Sequence, residues 1–138
     1  MTNPRKTARR PFRSFRDNDE GSVTIEFVLW LPLLFALILI ATDASVAFMR
    51  QSQMWQVSRD TARIVSRYAM DDTAAKTYAE QNAAFGNVVP MVSVDGTGSQ
   101  VVVAISTPAE AMTIFGTLNF ALDDSITTRV VHAMEPKS

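Results

Sequence analysis

The sequence predicts an α+β chain: one long N-terminal helix, then a small antiparallel sheet domain. Three observations predict it. The run from Val23 to Ala41 is apolar apart from Thr24 and Glu26, too long for a strand and long enough for a membrane helix. Helical spacing continues beyond it, with Met54, Val57, Thr61, Ile64 and Tyr68 separated by three or four positions. Further on, Val88 to Val94 and Gln100 to Ser106 are rich in β-branched residues and flank Asp95-Gly96-Thr97-Gly98-Ser99, a hairpin signature. A length of 138 residues leaves room for one small domain outside the helix and excludes a large multi-domain enzyme.

The first element is a basic leader, residues 1–21, in which Arg5, Lys6, Arg9, Arg10, Arg13 and Arg16 outweigh Asp17, Asp19 and Glu20. The net charge of −1 hides this asymmetry, because everything after Gly21 is net acidic. Residues 22–42 form the second element, about 31 Å of helix at 1.5 Å per residue, which matches one bilayer crossing. Positive charge before the span predicts a cytoplasmic N-terminus, with the remainder outside. Pro32 lies inside the span, where it deletes one helical hydrogen bond and can bend the helix.

Residues 43–70 are read as an extension of the same helix beyond the lipid. Arg59, Arg63 and Arg67 recur on one side of it, with Asp60 and Asp71 spaced to answer them. Phe48 and Trp55, near the membrane exit, suit interfacial anchoring or packing. The small domain occupies residues 71–138. Asp71-Asp72-Thr73 marks a new N-cap, Thr73 to Phe85 a second helix, and Gly86-Asn87 its end. Pro108 to Phe115 is ambiguous between short helix and loop, and Ser125 to Met134 supplies a third strand. Three strands packed on the long helix make an independent unit.

Catalytic and cofactor constellations are not expected. His132, the only histidine, falls in a predicted strand without zinc spacing, a nucleophile elbow or a phosphate loop beside it. Asp95-Gly96-Thr97-Gly98 lacks the later bidentate Glu of a calcium loop and reads as a turn. Asp71-Asp72 and Asp123-Asp124 read as caps or solvated loops. With no cysteine there is no disulfide or thiol chemistry. The basic stripe lacks the interleaved aromatics of a nucleic-acid surface.

Three readings of the N-terminus remain open from the residues. A signal anchor needs only the basic flank and the apolar run. A secretory signal peptide would be cut after Ser45-Val46-Ala47, although the apolar run is long for that purpose and Asp43 intervenes. The third reading is cytoplasmic-side cleavage after Gly21. Glu26 bears on it, since a carboxylate in a span costs roughly 2.5–3.5 kcal/mol at the bilayer centre and less near the interface. Cleavage would free an amine on Ser22 that is largely cationic at neutral pH, about 6 Å along the helix from Glu26. The two charges could offset each other's desolvation, within one subunit or between neighbours.

The string Glu20-Gly21-Ser22-Val23-Thr24-Ile25-Glu26-Phe27 resembles the processing site of prepilin-like proteins. With Phe27-Val28-Leu29-Trp30-Leu31-Pro32 and the downstream Asp60-Thr61-Ala62-Arg63, it resembles the TadE-like pseudopilins of tight-adherence (Flp-type) pilus systems. The resemblance covers residues 20 to about 67. Asp60-Thr61 stands where an Ala pair is commoner, and Trp30 replaces a small aliphatic residue.

The resemblance implies a minor pseudopilin, with a pilin-like fold, in the bacterial inner membrane. A prepilin peptidase would cut between Gly21 and Ser22, Glu26 and Phe27 would register subunits, and the periplasmic domain would meet partners. It implies a pilus assembly protein of an adhesive pilus that works with other pilins or pseudopilins, an inner-membrane assembly platform and the lipid bilayer, and has no nucleic-acid partner. The alternative is an uncleaved single-pass protein whose periplasmic domain binds or scaffolds another envelope complex.

Overall fold

The computed structural model describes residues 20–136, with side chains from Thr24 onward, so most of the basic leader lies outside the described residues. Helix α1 runs Glu20–Ser66, followed by α2 (Asp72–Ala83), β1 (Met91–Asp95), β2 (Gln100–Pro108) and β3 (Ser125–Ala133). The chain divides into two units, residues 1–37 and 38–138, the boundary falling inside α1.

The first unit contains most of the apolar run. Ile25, Phe27, Val28, Leu29, Trp30, Leu33, Leu34, Phe35 and Leu37 are all exposed. So continuous an apolar surface calls for an apolar surrounding. The helix is long and apolar enough to cross a membrane once, and the α+β fold expected from the sequence is the one observed.

In the second unit the three strands form one antiparallel sheet in the order β1-β2-β3. The hairpin pairs Asp95 with Val102 and Met91 with Ser106; β2 then pairs with β3 along its length, from Gln100–Ala133 to Pro108–Ser125. In central β2, the alternate residues Val101, Val103, Ile105 and Thr107 are buried, as the two-residue strand period requires. They share a core with Met54, Val57, Ala62 and Val65 of α1 and with Ala75, Ala79 and Ala83 of α2. Polar side chains also reach across from α1 to the sheet: Ser58 Oγ lies 3.3 Å from Thr128 Oγ1, and Thr107 Oγ1 donates to Met54 Sδ at 3.7 Å.

The helical stripe holds as far as Ile64 and then departs from expectation. Met54, Val57 and Thr61 are buried, but α1 stops at Ser66, short of residue 70, and Tyr68 is exposed with a left-handed φ of 57°. Tyr68 N–H bonds the Val65 carbonyl and Ala69 N–H the Ile64 carbonyl, the two bonds of a Schellman cap, with tyrosine where glycine is usual.

The answering charge of Arg67 is also corrected. Its Nε meets Glu135 Oε1 at 3.1 Å, while Asp71 caps α2 by accepting from Ala74 N–H at 2.7 Å. Both members of the Arg67–Glu135 pair are more than half exposed, so it is worth at most about 1 kcal/mol.

β1 starts at Met91 rather than Val88, because Val88 pairs back with Phe85 across a turn. The Asp95-Gly96-Thr97 segment is a turn, its carboxylate accepting from Thr97 N–H and Oγ1. A side chain at Gly96 would displace the Asp72 carboxylate. A Cβ would come within 2.7 Å of Asp72 Oδ1, whose partner oxygen Oδ2 accepts from Gly96 N–H. Pro108 to Phe115 resolves into a single 3-10 turn, Ala109–Met112, leading into a loop.

Candidate functional site: the apolar helix and its exit

Gly21 and Ser22 occupy the first turn of α1, and only their backbone is described. Glu26 and Phe27 follow within the next two turns and are exposed. Among the described residues no ion pair includes Glu26. Its carboxylate is therefore presented outward, four positions beyond Ser22 N, the separation at which helical neighbours meet. Pro32 is exposed within α1, and having no N–H it leaves the Val28 carbonyl without its helical donor.

At the other end of the apolar run the structure reveals a carboxylate site that the sequence reading passed over. Asp43 is fully buried. Its Oδ1 accepts from Ile114 N–H and Phe115 N–H, both at 2.8 Å, and its Oδ2 from Thr117 N–H and Thr117 Oγ1, both at 2.7 Å. Burial alone pushes the carboxyl pKa up. The donors of Phe115, Thr117 and Ile114 outweigh it and bring the pKa down to about 2.

Gly116, at a left-handed φ of 73°, permits the turn that directs neighbouring amides at one carboxylate. Asn119 braces the loop, its Oδ1 accepting from Thr113 Oγ1 at 3.0 Å. The base is closed by Ala109 N–H on the Asp124 carbonyl at 3.1 Å.

Two turns further along α1, Arg50 makes the next attachment. Its Nη1 donates to the carbonyls of Ala111 and Thr113, and its guanidinium lies 4.7 Å from the centroid of the Phe85 ring. Gln53 Nε2 then donates to the Asn82 carbonyl at 2.9 Å. The signal for Asp43 was present in the sequence as an acidic residue directly after an apolar run, but its donors lie 71 to 74 positions away.

The remaining sequence candidates are dispersed. His132 is exposed on β3 with Nδ1 near the Ala133 carbonyl, and Arg59 stands over the Trp55 ring at 5.8 Å. Among the described residues no group of three or more His, Asp or Glu is gathered to hold a metal ion. Ser45 and Ala47, where secretory cleavage would fall, lie inside α1, and Ala47 packs on the core.

No curated protein and no solved structure matches the chain. The model of one family, TadE-like protein, matches residues 21–63. That span holds Glu26, Phe27, Pro32 and Asp60-Thr61-Ala62-Arg63, which carried most of the resemblance, so residues 21–63 of this chain are similar to TadE-like proteins.

Proposed function

We propose that the chain is a minor pseudopilin: a non-enzymatic assembly subunit, anchored once in the bacterial inner membrane with its N-terminus cytoplasmic. Prepilin peptidase cleaves it after Gly21, and the mature chain is needed for biogenesis of an adhesive Flp-type pilus. The TadE-like match over residues 21–63 is the observation that supports this most. It spans a helix whose apolar surface is exposed and whose apolar run carries one carboxylate, Glu26, near its start.

In this reading Glu26 and the Ser22 amine form the registering charge pair, and Phe27 packs beside it. The apolar helix serves first as anchor and then as packing stalk, Pro32 easing its withdrawal from lipid. The periplasmic α+β domain meets other pseudopilins and the assembly platform. Glu20 and Gly21 lie in the first helical turn, so the peptidase must unwind that turn to reach an extended backbone, which a glycine with no Cβ makes easier.

The test is complementation of a deletion strain. Wild type is expected to restore surface pili and adhesion, whereas Gly21→Val accumulates in the membrane at full length and restores neither. Full restoration by an uncleaved Gly21→Val chain would favour the permanently anchored envelope protein instead.

A further inference from the structure

We infer that the loop spanning residues 113–124 makes a second contact with the membrane, with Ile114, Phe115 and Phe120 seated in the outer interface of the bilayer that α1 crosses. The inference rests on reading α1 as a membrane span. These three side chains are 58, 55 and 87% exposed. Each leaves apolar surface in water at roughly 25 cal/mol per Å².

Their position is fixed by Asp43. The amides of Ile114, Phe115 and Thr117 bond directly to the residue that follows Thr42, where the apolar run ends. Successive attachments along α1 place the loop closest to that end. Ser58 meets Thr128, Met54 meets Thr107, Arg50 meets Ala111 and Thr113, and Asp43 meets residues 114–117.

Phe and aliphatic side chains form the apolar face of segments that lie at this depth, where a bilayer passes from hydrocarbon to headgroup. The loop carries no Lys or Arg, and Asp123 and Asp124 stand at its return. The contact is therefore apolar, unlike a polybasic segment held by anionic lipid. The hydrogen bonds to Asp43 satisfy the amides of Ile114, Phe115 and Thr117, which would be costly to leave unpaired at that depth.

The chain has no cysteine, so a single introduced one takes a unique label. Full-length Phe115→Cys and Phe120→Cys, each carrying an environment-sensitive bimane, are reconstituted in phosphatidylcholine vesicles containing lipid brominated just below the headgroup. Val131→Cys on β3 is the control outside the loop, and Leu34→Cys, with deeply brominated lipid, reports the span. Every replaced side chain is exposed, so the core is left intact.

Labels at 115 and 120 are expected to shift to the blue and lose most of their emission, with no dependence on added anionic lipid, while the label at 131 keeps its own. Labels at 115 and 120 as bright as at 131, with 34 quenched, would overturn the loop contact and leave the span standing. An unquenched label at 34 would overturn both. Equal quenching at 131 would also overturn the proposal, because lipid contact would then not be confined to the loop.

Discussion

Asp43 and Glu26 are both carboxylates at the margins of one apolar run, and their surroundings assign them opposite tasks. Asp43 is satisfied inside its own chain by four donors, and its pKa is about 2, below the usual 3.8. A carboxyl lowered on folding stabilises the fold above its unfolded pKa and loses that contribution as pH falls through the folded value. Acid should therefore loosen the loop between about pH 3.8 and pH 2. Asp43→Asn should be less stable at neutral pH and show a flatter acid limb, as measured by denaturant unfolding in micelles across that range. Glu26 has no ion-pair partner among the described residues, and on the proposed function its partner is the Ser22 amine or a neighbouring subunit. Glu26→Ala is expected to be cleaved like wild type yet to give few pili, by immunoblot and surface-pilus counts; wild-type pilus numbers would remove its registering role. Glu26 was legible because a charge within an apolar run stands out by itself. Asp43 was not, since its partners are more than 70 positions away and nothing local distinguishes it from a boundary residue.

Helices and strands followed local pattern wherever packing agreed with it. β-branched richness located β2 to within two residues, and β3 was placed to within one; Asp71 announced α2 through the cap it makes. Removing that cap by Asp71→Ala should cost about 1 kcal/mol in thermal or denaturant unfolding, with Asp71→Asn retaining most of it. Met54, fully buried between α1 and the sheet, should cost about 2–5 kcal/mol as Met54→Ala. A loss under 0.5 kcal/mol, within the range of ordinary surface changes, would mean that α1 does not hold the domain. The end of α1 escaped the sequence because its cap uses Tyr68 in a conformation normally signalled by glycine. The segment after β2 escaped it for a different reason: its form is imposed by Asp43 and Arg50, on a helix distant in sequence.

The two units meet different demands. Residues 1–37 supply the apolar helix, which is exposed in the single chain and needs lipid or neighbouring helices around it. Residues 38–138 supply a sheet domain built on the remainder of α1. On the proposed function, a subunit that begins in the bilayer and ends in an assembly sheds its basic leader, because cations held on the cytoplasmic side would oppose withdrawal of the helix. The mass of the chain purified from cells with and without an active prepilin peptidase reads this out. A species beginning at Ser22 only when the peptidase is active is expected; a chain that keeps Met1 to Gly21 in piliated cells would contradict it.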